Sequence, residues 1–181
     1  MIDIMKRLRN PFSELEGYNC FACSPKNEYG LKMEFMKTDA GVVCHWEPQQ
    51  RFQGYFNILH GGIQATLMDE IASWLVFTHL KTGGVTVRLD VSYKKPVYTN
   101  KGALKIEANL TDKKRNIAII SVSLSDQSGN LCSQATAHYY LFSKEKAKKK
   151  LSYPDESAFF CSDNKITRKD RKEKKNDQKD K

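Results

Sequence analysis

No run of about 18 consecutive apolar residues occurs anywhere in this chain of 181 residues, so no helical membrane span is expected. The first residues, Met1-Ile2-Asp3-Ile4-Met5-Lys6-Arg7-Leu8-Arg9, show neither the apolar stretch nor the small-residue cleavage site of a secretory signal. A cytoplasmic protein is the expectation. A disulfide framework is also missing. Cys20, Cys23, Cys44, Cys132 and Cys161 are odd in number and scattered, unlike the paired cysteines of small secreted domains. No second Cys-x-x-Cys and no His-x3-His follows Cys20-x-x-Cys23, and a structural zinc needs four ligands. Cys44 and His45 are the in-principle completion of such a site. Reduced thiols in a loop are the expectation, with no metal and no cofactor. No internal repeat is visible.

What is present is an apolar fraction of 40%, sufficient for one core, on a chain of one domain plus extensions. The net charge of +9 is unevenly placed. Residues 1–143 hold 16 basic and 13 acidic residues, a balance of +3, and residues 144–181 hold 14 and 8, a balance of +6. The near-balanced part argues against nucleic acid as its main ligand.

The punctuation of the chain gives its organisation. Residues 1–16 read as helical and 17–30 as a loop broken by Gly17, Pro25, Asn27 and Gly30. Leu31–Lys37 and Val42–Glu47 read as a β-hairpin around Ala40-Gly41, and 48–59 as an irregular link. One long helix is predicted from about Gly62 to Leu80, stopped by Gly83-Gly84. Four strands follow: Val85–Lys95, Ala103–Leu110, Ile117–Ser125 and Leu131–Phe142. The short polar turns between them imply antiparallel neighbours. An antiparallel sheet needs cover on its apolar face, and the one apolar helix is the element available. The fold class is therefore α+β, a sheet of about six strands curled around one central helix. The expected divisions are an N-terminal helix and loop over 1–30, the domain over 31–143, and a basic, solvated, disordered tail over 144–181. Tyr153, Phe159 and Phe160 are available to pin the connecting segment to the domain. A polybasic contact with a membrane surface or nucleic acid is the alternative role for the tail.

Asn57-Ile58-Leu59-His60-Gly61-Gly62-Ile63-Gln64-Ala65-Thr66-Leu67-Met68-Asp69-Glu70 carries the chemistry. Two glycines at a helix start leave its first N–H groups uncovered, a place for negative charge. Asp69 sits two turns in, among Ala65, Leu67, Met68, Ile71 and Ala72, where a charge is costly without a use. An anion hole beside a buried acid is what acyl-transfer chemistry needs. Glu70, about 100° round the helix, is the second acid.

These residues resemble the hotdog-fold acyl-CoA thioesterases of the phenylacetate-pathway (PaaI-like) type. In that family His-Gly-Gly opens the central helix and an acid lies nine residues after the His, matched by His60 and Asp69. A small hydroxyl residue on the next strand is matched by Thr86, and an aromatic before a Pro by Tyr93 and Pro96. The segment Cys20 to Leu31 is similar to one seen in many members. The resemblance covers about residues 18–142. It implies an acyl-CoA thioesterase with Gly62 N–H binding the thioester carbonyl and Asp69, supplied by the opposing subunit, as general base or nucleophile. Thr86 would orient the water or the carboxylate, and His60 would shape the loop. Asn57, Gly61 and Gln53 are placed at the substrate, and Arg88, Lys94 and Lys95 near the phosphates of coenzyme A; Lys113, Lys114 and Arg115 form a further basic turn. Many members carry Asn or Gln where this chain has Gly54, with Gln53 and Asn57 as flanking substitutes. A homodimer or dimer of dimers with sites at the interface is implied. The alternatives are a hydratase or dehydratase of the same fold, which would use His60 as a base, and a non-catalytic acyl-CoA sensor.

Overall fold

In the computed structural model, which describes residues 5–165, one helix forms the axis of the molecule. α1 (Gly61–Thr78) buries Leu67, Met68, Ile71, Ala72, Trp74, Leu75 and Val76. That is more than one stripe of a helix, as expected of a helix wrapped by a sheet. The wrapping strands are β3 (Gly41–Trp46), β6 (Gly84–Tyr93), β7 (Leu104–Lys114), β8 (Ile117–Ser125) and β9 (Leu131–Leu141), all in contact with α1. Alternation aims β8 and β9 at the helix. Ala118, Ile120, Val122 and Leu124 of β8 and Ala135, Ala137, Tyr139 and Leu141 of β9 are buried. β7 and β8 are joined by Arg115 and Asn116 alone, with Arg115 at φ +53°.

The main sheet has eight antiparallel strands, in the order β10-β1-β2-β3-β7-β8-β9-β6. Its smallest members are β1 (Lys6–Leu8) and β2 (Met36–Lys37), with β10 (Phe160–Lys165) at one edge. Residues 31–35 lead into β2 and bury Leu31, Met33 and Phe35 in alternation. β4 (Gln53–Tyr55) and β5 (Ile58–Leu59) form a separate two-stranded hairpin inside the stretch expected to be irregular. No helix among the described residues is long and apolar enough to cross a membrane.

Two expectations are corrected. Residues 5–16 contain no α-helix: β1 lies between β2 and β10, and a 3-10 turn at Pro11–Glu14 is capped by Asn10. The partners of β1 lie some thirty residues and some 150 residues away, so no local pattern announces them. Residues 144–165 are not a disordered tail. α2 (Lys144–Leu151) is capped by Ser143, whose Oγ accepts from Lys146 N–H at 3.3 Å, and it buries Ala147. The chain then lays Tyr153 and Phe159 on α1. Tyr153 Oη donates to the Phe77 carbonyl at 2.9 Å, and Phe159 stacks on Phe77 with ring centroids 5.5 Å apart. Those aromatics supply the apolar burial that orders a segment otherwise rich in lysine. The expectation for 166–181 falls outside the described residues.

Candidate active site

The start of α1 is built around the His60 ring. His60 is the N-cap; its Nδ1 accepts from Gly62 N–H at 2.9 Å. Its carbonyl accepts from Ile63 and Gln64 N–H at 3.0 and 3.1 Å, and its own N–H donates to the Phe52 carbonyl at 3.0 Å. Of the four amides that open the helix, only that of Gly61 has no acceptor among the described residues. The amide free to meet a ligand is thus one residue earlier than expected: Gly62 is taken by the cap. Tyr93 Oη donates to the Gly61 carbonyl at 2.8 Å and ties this loop to the end of β6. Close approach explains two glycines. A Cβ on Gly62 would stand 3.1 Å from His60 Nδ1, and one on Gly54 would stand 3.2 Å from His60 Cδ2. The imidazole is held between them, so Gly54 makes room for the ring.

Asp69 lies eight residues further along the same helix, about 12 Å from Gly61 at 1.5 Å per residue. Its Oδ1 accepts from Thr86 Oγ1 and from Tyr139 Oη, each at 2.8 Å. Tyr139 Oη also lies 2.8 Å from the Asp69 carbonyl. Thr86 and Tyr139 face each other across β6 and β9, and the register shifts just beyond, between Thr86 and Arg88. Such a bulge next to a site re-aims side chains. Burial, reinforced by the Asp69 charge, pushes the Tyr139 phenol up, so it remains a donor. Sequence reading missed Tyr139. The alternation of β9 marks Tyr139 as inward-facing, but its place opposite Thr86 and against Asp69 comes only from the strand pairing.

Glu70 faces another way. Its Oε1 accepts from Trp74 Nε1 at 3.0 Å, and Cys20 Sγ lies 3.9 Å from Oε2. Burial and the neighbouring Cys20 push its carboxyl up to about 7. It does not join Thr86 and Tyr139.

The remaining expected residues scatter. Asn57, at φ +58°, donates its N–H to Gln53 Oε1 at 3.0 Å, so both shape the β4–β5 turn. The tip of that turn exposes Tyr55 at 80% and Phe56 at 84%, an unusual display of aromatic surface. Arg88 is paired with Asp90 at 2.7 Å. Lys94 and Lys95 are exposed; Lys95 lines a cleft with Tyr98 and Lys101. A second cleft of about 340 Å³ gathers Lys113, Arg115, Lys144 and Lys146 beside Tyr140.

Residues 56–133 match the model of the thioesterase superfamily. Over that stretch the chain is similar to the thioesterase superfamily. Its sheet curled round α1 is the hotdog fold of that superfamily. The matched stretch contains His60, Gly61, Asp69 and Thr86, whereas Tyr139 lies beyond it. The chain is 28% identical over 95 residues to acyl-coenzyme A thioesterase 13 of Homo sapiens, covering 51% of this chain and 67% of the human protein. It is 39% identical over 61 residues to an uncharacterized protein of Schizosaccharomyces pombe, covering 33% of this chain and 35% of that one. The chain therefore spans about a third of the length of the Schizosaccharomyces pombe relative. Among solved structures, a hypothetical thioesterase from Streptococcus pneumoniae superimposes with a TM-score of 0.55 at 24% identity. That match covers 59% of this chain and 84% of the other.

Proposed function

We propose that this protein hydrolyses an acyl-CoA thioester, as a member of the phenylacetate-pathway type, at a site assembled from two copies of the chain. The observation that carries the proposal is the Asp69 carboxylate, held at Oδ1 by two hydroxyl donors with Oδ2 accepting from no described residue. A carboxylate fixed in this way is aimed, and Oδ2 is its working oxygen as general base toward water or as nucleophile toward the thioester carbon. The charge that develops on the carbonyl oxygen needs a preorganised donor, and the Gly61 N–H at the positive end of α1 fits that role. One such donor is typically worth about 3–4 kcal/mol.

The two groups sit about 12 Å apart on one helix, too far to act on one carbonyl carbon. The acid and the donor must therefore come from different copies. β6 offers the means: it is a sheet edge, and most of its residues are exposed, Val85 at 41% and Val87 at 55%. An open edge of this kind invites pairing. A two-fold axis beside β6 would set two α1 helices antiparallel and bring Asp69 of one toward Gly61 of the other. The human relative is named an acyl-coenzyme A thioesterase, and the Streptococcus pneumoniae neighbour was crystallised with coenzyme A. Both fit the basic clefts, which suit the phosphates of that carrier.

Thiol release from a panel of acyl-CoAs, measured on the wild type and Asp69→Asn together, tests the proposal. Turnover that collapses in the variant supports it. Binding of acyl-CoA without turnover by the wild type would replace it with the sensor reading.

A further inference from the structure

The Cys20-x-x-Cys23 pair, set aside in the sequence for want of further ligands, meets a third one in the fold. Cys20 Sγ, Cys23 Sγ and a Glu70 carboxylate oxygen all lie within 4.8 Å of one another. We propose that Cys20, Cys23 and Glu70 form a binding site for one zinc ion that clamps the N-terminal loop to α1. This inference is independent of the hydrolytic reading.

The distances suit the ion. Tetrahedral zinc with bonds of about 2.3 Å to sulfur and 2.0–2.2 Å to oxygen separates its S and O ligands by about 3.6 Å. Cys20 Sγ stands 3.9 and 4.0 Å from the two Glu70 oxygens, so a few tenths of an ångström of contraction complete the geometry. Two thiolates and one carboxylate select a borderline-soft divalent ion over magnesium or calcium. Three protein ligands leave the fourth position to water.

Hydrogen-bonding groups surround the two sulfurs. Asn10 Nδ2 donates to Cys23 Sγ at 3.4 Å and to the Cys23 carbonyl at 3.0 Å, and Tyr18 Oη lies 3.0 Å from Cys23 Sγ. Donors to ligand sulfur orient a site and tune its affinity. Among the described residues no lysine or arginine is ion-paired with Glu70. A buried or half-buried carboxylate without one is costly. Zinc would supply the counter-charge. The site neither uses Cys44, buried on β3, nor His45, the completion considered from the sequence.

The test is a titration of the full chain, tag-free, reduced and stripped with a chelator, using Zn²⁺ and then Co²⁺. One equivalent of Zn²⁺ should bind, and the Co²⁺ form should show a thiolate-to-cobalt charge-transfer band. Both should vanish in Cys20→Ser/Cys23→Ser and persist in Cys44→Ser. Glu70→Gln should weaken binding by at least tenfold, since even residues that only support a ligand are worth about 10–100-fold. The Glu70→Gln variant keeps the test decisive if the double cysteine variant fails to fold. Absence of stoichiometric binding to folded, reduced wild type would overturn the proposal. So would undiminished binding by Glu70→Gln, or binding that survives in a folded double cysteine variant.

Discussion

Asp69 and Glu70 are neighbours in sequence and belong to different chemistries. Asp69 turns toward the sheet, where two hydroxyls from β6 and β9 hold one of its oxygens. Glu70 turns toward the N-terminal loop, where an indole N–H and a cysteine sulfur meet it and burial pushes its carboxyl up to about 7. One residue of helix, about 100° of rotation, separates hydroxyl donors from sulfur. Carboxylates are therefore assigned roles by the face they occupy, and adjacent acids on a helix are poor substitutes for each other. Glu70 cannot stand in for a lost Asp69, because Thr86 and Tyr139 are out of its reach.

The comparison breaks most visibly at Asp69. Asp69→Asn is expected to lower turnover by roughly 10²–10⁴-fold, the usual worth of a positioned acid or base, with acyl-CoA binding retained in an equilibrium assay. Next in size is the donor. Gly61→Pro deletes the free N–H at a position where a helix accepts proline, and kcat should fall by about 10²–10³. Mixing that variant with Asp69→Asn sharpens the geometry further. A hybrid dimer holds one site with both native groups, so activity should reappear on mixing; its failure to do so would place both groups in one chain. Smaller effects belong to the hydroxyls. Tyr139→Phe and Thr86→Val each remove one hydrogen bond from Oδ1, and each should cost turnover about 3–10-fold, in line with about 0.5–1.5 kcal/mol per bond. Measured together as a double-mutant cycle they should couple, since they share one oxygen. Smallest is Glu70→Gln, expected to leave turnover within about threefold, under about 1 kcal/mol, while weakening zinc. A loss at Glu70 comparable to that at Asp69 would erase the division between the two faces.

The helix and the last four strands were legible because each is long, continuous and bounded by glycine or polar turns; β8 occupies the span expected for it. What was illegible depends on distance along the chain. β1 is three residues long and has meaning only against β2 and β10, and the lysines of α2 masked the burial of Ala147, Tyr153 and Phe159. Within the site, the motif at the helix start named His60 and Asp69, and the family resemblance added Thr86 on the next strand. Neither could tell which glycine amide His60 would consume, because a cap is a matter of side-chain direction. Tyr139 and the approach of Cys20 to Glu70 are contacts across 70 and 50 residues, which no local pattern records.

The pairing of Lys6 with Lys165 joins residues from opposite ends of the described chain. On a translating ribosome, β1 must wait for some 150 further residues to emerge before β10 can close beside it. Its neighbour β2 is available early, but the aromatic layer of Tyr153 and Phe159 arrives late. The helix that carries Asp69 and Glu70 is thus sealed on that side only after β10 has been made, and β1 and β10 should be the first strands to open when the native protein breathes, exchanging their amides ahead of β7, β8 and β9.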